Sequence, residues 1–297
     1  MALNFGGAWT EKKKKAVQHY LKCFVVALKN QSFPKYYIDA FAGTGYHHLE
    51  QKESLFGEGN DNEMEDLHRG SALIALESDP AFDRYYLIEI SPKKIRSLKE
   101  MASKNPNRNI DCIQKDANDA LREICENLIQ INIRIRPRCV VFLDPFGTEV
   151  KWSTLECLAR TKVCDIWYLF PTNTINRMLE NKGRIPETWE NKLNEVFGNE
   201  DWREQFYTRE KRSTLFGEVC EEESYKSLKS LVEIQEYIYS KLTCLFGYVG
   251  EGALQLYNSR NLLFSLFFAM SSDNKKAHDI GKRYWDWLIK KDSRGEL

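Results

Sequence analysis

The chain has 297 residues, with 43 Lys plus Arg balanced by 43 Asp plus Glu, 42% hydrophobic and 12% aromatic residues. That length carries one large or two small domains whose core needs no metal or disulfide staple. The cancelled charge excludes the whole-chain electrostatic footprint of a DNA-coating or polybasic membrane protein, so a nucleic-acid partner would have to meet a local patch.

The opening MALNFGGAWTEKKKK has no apolar signal region, and no stretch reaches the roughly eighteen apolar residues of a membrane span, so a cytoplasmic protein is expected. Eight cysteines contain no C-x-x-C pair and read as reduced thiols in the core, with no structural metal.

Along the chain, β-branched and aromatic runs alternate with helix-period patterns, which predicts an α/β domain around a parallel sheet. A helix is expected from about Thr10 to Leu28, with Ala16, Tyr20, Cys23, Phe24 and Ala27 at helical spacing; lysines 12 to 15 then lie on several faces of its first turns, as a solvated helix start or, in the alternative, a phosphate-touching patch. The first strand is Tyr36 to Phe41. Arg84 to Ile90 is the second, and Ser91-Pro92 caps and opens a helix to about Ser103. The third strand, Ile110 to Gln114, precedes a helix from Ala117 to Ile129; the fourth is Cys139 to Leu143. Ser153 to Glu156 has the capping-box pattern for a short helix, and Asp165 to Phe170 is the fifth strand.

From Pro171 to Lys241 the chain turns polar and reads as a helical insertion. Beyond it, Leu245 to Val249 and Ala253 to Tyr257 are strand material. Leu262 to Met270 is a long buried strand, and Asn274 to Ile289 a closing helix with Ile280, Tyr284, Trp285 and Leu288 on its apolar side.

In an open α/β sheet, ligands sit beyond the carboxyl ends of the strands. After the first strand stands Asp39-Ala40-Phe41-Ala42-Gly43-Thr44-Gly45, where the glycines permit close approach to the backbone. Neither glycine begins a phosphate-binding P-loop, and a dinucleotide fingerprint would need a third glycine where His48 stands. An acid ahead of the glycines suits a ligand carrying positive charge, such as the ammonium and sulfonium of S-adenosylmethionine.

Glu89, ending the second strand, can accept hydrogen bonds from vicinal ribose hydroxyls, or serve the following turn. Asp116, after the third strand, is placed either for an adenine amino group or for capping the next helix. Asp144-Pro145, after the fourth, sets a carboxylate beside a carbonyl, and both can accept protons from an exocyclic amine and orient it for methyl transfer. The alternative is a turn that uses both residues only for their backbone angles.

At these residues the chain resembles a class I S-adenosylmethionine-dependent methyltransferase, and more closely the three-Cys-motif partner protein (TcmP) family. The matching strings are YYIDAFAGTG (36–45), RGSALIALE (69–77), YYLIEISPKKIRSLK (85–99), QKDAND (114–119), VVFLDPFGTEVKWSTLECLAR (140–160), DIWYLFP (165–171) and LLFSLFFAM (262–270). The resemblance implies a Rossmann-like, seven-stranded sheet of order 3-2-1-4-5-7-6 whose last strand is antiparallel, with a helical insertion between strands 5 and 6. It divides the chain into a cofactor-binding core (1–171) with a loop insertion (46–69), a helical insertion for substrate or partner recognition (172–241), and C-terminal strands and helix (242–297).

It further implies S-adenosylmethionine contacts at Asp39, Phe41, Ala42, Gly43, Thr44, Gly45, Glu89, Ile90, Asp116 and Ala117, and catalytic roles for Asp144, Pro145 and Phe146. Amino-methyltransferases of nucleic-acid bases carry Asp-Pro-Pro-Tyr where this chain has Asp-Pro-Phe-Gly, so the base-stacking aromatic stands one place early. The family name implies a separate three-cysteine partner protein, in a mobile-element or phage-defence setting.

The expectation is a methyltransferase acting on an amino group of DNA or RNA. Lys182, Arg184, Arg209, Lys211 and Arg212 would meet phosphates, and Trp189 and Trp202 would stack on bases or turn into the core. The insertion Tyr46 to Arg69, with His47, His48 and His68, is a candidate lid. The competing expectation is a non-catalytic binding module that keeps the fold without the chemistry.

Overall fold

The computed structural model describes residues 8–44, 71–132, 134–212, 221–227, 231–258 and 261–297. Gly45 and the candidate lid with its three histidines lie outside them, as does Cys220. The elements, in chain order, are α1 (Ala8–Ala27), β1 (Lys35–Asp39), α2 (71–76), β2 (Arg84–Ile88), α3 (Pro92–Ser103), β3 (Ile110–Ile113), α4 (Ala117–Gln130), β4 (Arg138–Leu143), α5 (Trp152–Thr161) and β5 (Cys164–Phe170). There follow α6 (Thr172–Met178), α7 (Glu187–Phe197), α8 (Trp202–Phe206), β6 (Tyr207–Arg212), β7 (Glu221–Lys226), α9 (Leu231–Leu245), β8 (Tyr248–Val249), β9 (Leu254–Tyr257), β10 (Leu262–Met270) and α10 (Lys275–Ser293).

The main sheet runs β3-β2-β1-β4-β5-β10-β8, and β9 pairs with β10. β1 to β5 are parallel, and β10 runs antiparallel to β5. Counting β8 and β9 as one interrupted sixth strand gives the expected 3-2-1-4-5-7-6 order; the interruption makes eight strands of seven. The physical cause of the parallel core is visible in β5, whose seven residues are all buried and therefore need a helical layer on each face.

Alternate residues of the central strands feed two cores. Tyr37, Val140, Phe142 and Trp167 join Ala16, Tyr20, Phe24, Tyr284 and Trp285 on the face covered by α1, α2, α3 and α10. Ile38, Val141, Leu143 and Tyr168 pack on the other face against α4, α5, α9 and the residues of α6 to α8.

Several expectations are corrected. The insertion is not wholly helical: β6 and β7 form a separate antiparallel hairpin, and α9 runs on to Leu245, so Leu245 is not strand. The capping box at Ser153 does not form, because α5 starts at Trp152 after Lys151 and no side chain caps it. Ile280 is 49% exposed, since the buried stripe of α10 passes through Gly281, Tyr284, Trp285 and Leu288. Cys23 and Cys244 are exposed, not core thiols.

Candidate functional site

The four leftmost strands bring their carboxyl ends to one edge in the order β3, β2, β1, β4, across roughly 15 Å at about 4.8 Å per strand. Asp116, Glu89, Asp39 and Asp144 stand at or after the ends of these strands in that same order. The topology thus assembles residues that are 105 positions apart in the chain.

Asp39 is fully buried. Its Oδ2 accepts hydrogen bonds from Ser71 Oγ at 2.6 Å and Tyr37 Oη at 3.3 Å, and its Oδ1 from the Phe41 backbone N–H at 3.2 Å. Burial pushes its carboxyl up to about 6, against the pull of those donors. These bonds tie the turn after β1 to the start of α2, so Asp39 acts first on the shape of the turn. From there the Ala42 N–H donates to Ile88 O at 2.9 Å, which lays the turn over the end of β2, and Gly43 takes φ +62°, a conformation that costs glycine little.

Glu89 is buried beside that turn, and its Oε1 accepts from the Ser91 N–H at 2.8 Å. The carboxylate is therefore oriented by the same Ser91 that caps α3. Ile90 is 64% exposed. Asp116 takes the capping role: its Oδ1 accepts from the N–H groups of Asn118 and Asp119, at 2.9 and 3.3 Å. Ala117 is buried in the core below it.

Asp144 and Pro145 are buried, and Phe146 turns outward with the Lys94 ammonium 4.5 Å from its ring centroid. The Asp144 Oδ2 pairs with Lys13 Nζ at 2.6 Å, and Lys13 is only 2% exposed. Burial pulls the Lys13 ammonium down, opposed by the attraction of Asp144 and Asp39. The expectation of a solvated lysine cluster is therefore wrong at Lys13. Its spacing held the signal: Lys13 precedes Ala16, Val17 and Tyr20 by three, four and seven residues, on the buried face of α1.

Asn118 is a second residue the motif reading passed over. Its Nδ2 donates to Glu149 O at 3.0 Å, and its Oδ1 accepts from the Lys151 N–H at 3.0 Å and Thr154 Oγ1 at 2.7 Å. It fastens the loop after β4 to the start of α4, and so fixes the Asp144 loop against the Asp116 loop.

In the insertion, Trp202 is fully buried with its indole N–H donating to Asn194 Oδ1 at 2.7 Å, so it does not stack on a base. Trp189 is half-buried against the core, while Lys182 and Arg184 are exposed. The side chains of Arg209, Lys211 and Arg212 lie outside the described residues.

No helix among the described residues is long and apolar enough to cross a membrane. No family model and no curated protein matches the chain. Solved structures overlap with it loosely. A protein from Legionella pneumophila aligns at 14% identity over 78% of this chain and 92% of its own, with TM-score 0.38. An S-adenosylmethionine-dependent methyltransferase from Clostridium acetobutylicum aligns at 12% identity over 87% and 91%, with TM-score 0.33. The plantazolicin methyltransferase, in complex with S-adenosylhomocysteine, aligns at 11% over 88% and 84%, with TM-score 0.31.

Proposed function

We propose that this chain is an S-adenosylmethionine-dependent methyltransferase acting on an amino group of a nucleic-acid base. The observation that carries the reading is the meeting, at one sheet edge, of a left-handed glycine turn, a buried and oriented Glu89, and an Asp-Pro loop. The cofactor fits this set: a carboxylate for two ribose hydroxyls stands beside a backbone turn open to close approach. When bound, it supplies a methyl group carried on a positively charged sulfur.

The residues divide the work. Glu89 Oε2 accepts from the ribose hydroxyls while Oε1 stays on Ser91. The backbone of Ala42, Gly43 and Thr44 follows the amino-acid end, and Asp39 keeps that turn in shape. Asp116, whose Oδ1 is committed to the helix, offers Oδ2 to the adenine amino group, next to Ile90 and Ala117. The Asp144 carboxylate and the Pro145 carbonyl accept hydrogen bonds from the N–H groups of the acceptor amine and orient its lone pair; Phe146 borders the acceptor. Orientation supplies most of the rate such a site gains. In the same reading the insertion meets nucleic acid or a three-cysteine partner protein of the TcmP type, in a mobile-element or phage-defence setting.

The burial of Asp39 and Asp144, both already bonded within the protein, favours one alternative: a binding module that senses a nucleoside without chemistry. Calorimetry with S-adenosylmethionine, beside mass spectrometry of any small molecule that co-purifies, separates them. The methyltransferase reading expects micromolar binding that Glu89→Ala weakens on the order of a hundredfold. Binding of the nucleoside without methyl transfer to any DNA or RNA favours the module, and no heat at all refutes both.

A further inference from the structure

At the amino-terminal end of the sheet, away from the edge that carries Glu89 and Asp144, an acid and a cation share one face without meeting. Asp165 of β5 is in register with Val140 of β4, two residues beyond Arg138, so both side chains belong to the α1 face. Asp165 is 8% exposed, and its Oδ2 accepts from Tyr20 Oη at 2.5 Å. Nothing among the described residues donates to its Oδ1. The Arg138 guanidinium lies 5.3 Å from the Phe33 ring centroid, has no hydrogen-bond acceptor among the described residues, and keeps its Nη1 enclosed. The two groups attract each other, yet they form no ion pair. Both line a cavity of about 100 Å³ between the second half of α1 and the first half of α10. Phe24, Met270 and Gly281 wall it, and the exposed Cys23 and Ile280 stand at its mouth. The Tyr20 and Tyr284 hydroxyls are spent on Asp165 and the Ala16 carbonyl. Burial pushes both phenols and the Cys23 thiol up, so all three stay neutral at pH 8.

We propose that this cavity is a second ligand site, for a small neutral carboxamide on a single apolar ring: the carbonyl oxygen accepts from Arg138, the N–H donates to Asp165 Oδ1, and the ring lies among Phe24, Met270 and Tyr284. The site stands apart from the methyltransferase reading and does not depend on it. A carboxamide carries one acceptor and one donor side by side, which matches a cation and an acid that border the same space and do not satisfy each other. It adds no charge, so neither group repels it. A carboxylate of the same shape pairs with Arg138 but meets ionised Asp165 as a like charge. An amidinium pairs with Asp165 and meets Arg138 in the same way. The rest of the wall is apolar, so these two groups set the orientation, and a cavity of this size class takes a single ring.

The test uses the full chain with ¹³C-methyl methionine at pH 8, above the value of about 7 to which burial pushes Asp165. It is titrated with benzamide, benzoate and benzamidine, three flat molecules of one shape that are neutral, anionic and cationic. The Met270 methyl resonance, assigned by its loss in Met270→Leu, is expected to move saturably with benzamide, with a Kd of about a millimolar or below. Met178, on the other face of the sheet, should stay still. Benzoate and benzamidine should each bind at least about tenfold more weakly. Equal or tighter binding of either charged molecule overturns the proposal. So does a Met270 methyl that ignores benzamide, or one that moves no more than that of Met178. Two variants locate the contacts. Arg138→Met should abolish the response to benzamide, and Asp165→Asn, which removes the like charge, should strengthen benzoate by about fivefold or more. Benzamide binding that survives Arg138→Met, or benzoate binding unchanged in folded Asp165→Asn, overturns the assignment of those groups and the proposal with it.

Discussion

Helix α1 meets a buried acid at both edges of the sheet, and the two meetings differ in kind. Lys13 and Tyr20 stand seven residues apart on one face, about 10 Å along the axis. Lys13 answers Asp144 beyond the carboxyl end of β4 with a full charge, whereas Tyr20 answers Asp165, near the start of β5, with a neutral phenol. Burial pushes the Asp165 carboxyl up to about 7, opposed only in part by the Tyr20 hydrogen bond and the Arg138 charge. An acid met by an ammonium forms a buried ion pair; one met by a phenol within an aromatic cluster of Tyr20, Trp167, Phe268 and Tyr284 sits in a packing contact. The comparison teaches that a buried carboxylate marks function only when its partner is known.

The largest expected effect tests the charged end. Lys13→Met leaves Asp144 buried without its cation and should cost about 3–5 kcal/mol in urea unfolding at pH 7, while the double variant Lys13→Met/Asp144→Leu should regain most of it. A single-variant loss under about 1 kcal/mol would break the comparison.

At the other end the sign is opposite to that of an ordinary salt-bridged acid. Folded Asp165 keeps its proton up to about 7, whereas the unfolded chain releases it near 3.8, so this group's contribution to stability falls as pH rises between those values. Asp39, pushed up to about 6, adds a loss of the same sign that ends nearer 6. The stability of Asp165→Asn minus that of the unaltered chain should therefore climb by about 2–3 kcal/mol between pH 4 and pH 7 and then level off. A flat difference would mean that Asp165 is ionised throughout.

Smaller changes sharpen the picture. Asn118→Ala unties the Asp144 loop from α4 and should cost about 1–2 kcal/mol, with faster amide exchange confined to residues 145–151. Tyr20→Phe should cost about 1 kcal/mol at pH 5, where Asp165 is protonated, and more at pH 8, where its charge would stay buried without the phenol.

Much of this architecture is legible in the sequence. The core strands announce themselves as aromatic and β-branched runs ending in Asp, Glu or Gly, and their alternation with helices leaves few topologies. Ser91-Pro92 marks the start of α3, and Asp116 that of α4, because caps act locally. What is hidden depends on tertiary contact. The hairpin strands Tyr207–Arg212 and Glu221–Lys226 are charged on both faces, so no period of two points to a sheet. Ser153 matches a capping pattern, yet the helix begins a residue ahead of it. Lys13 is invisible to a motif search because its partner stands 131 residues away, although the helical stripe beneath it was available to read.

The bond from Tyr284 to the Ala16 carbonyl spans 268 residues. During synthesis, at roughly 5–20 residues per second, α1 leaves the ribosome tens of seconds before the helix that anchors it exists. The bonds of α1 to Asp144 and Asp165 can form about halfway through synthesis, while its bond to α10 waits for the end of the chain. The packing of α1 against α10 is therefore completed after the glycine turn, Glu89 and the Lys13–Asp144 pair, whose partners all lie within the first half of the chain.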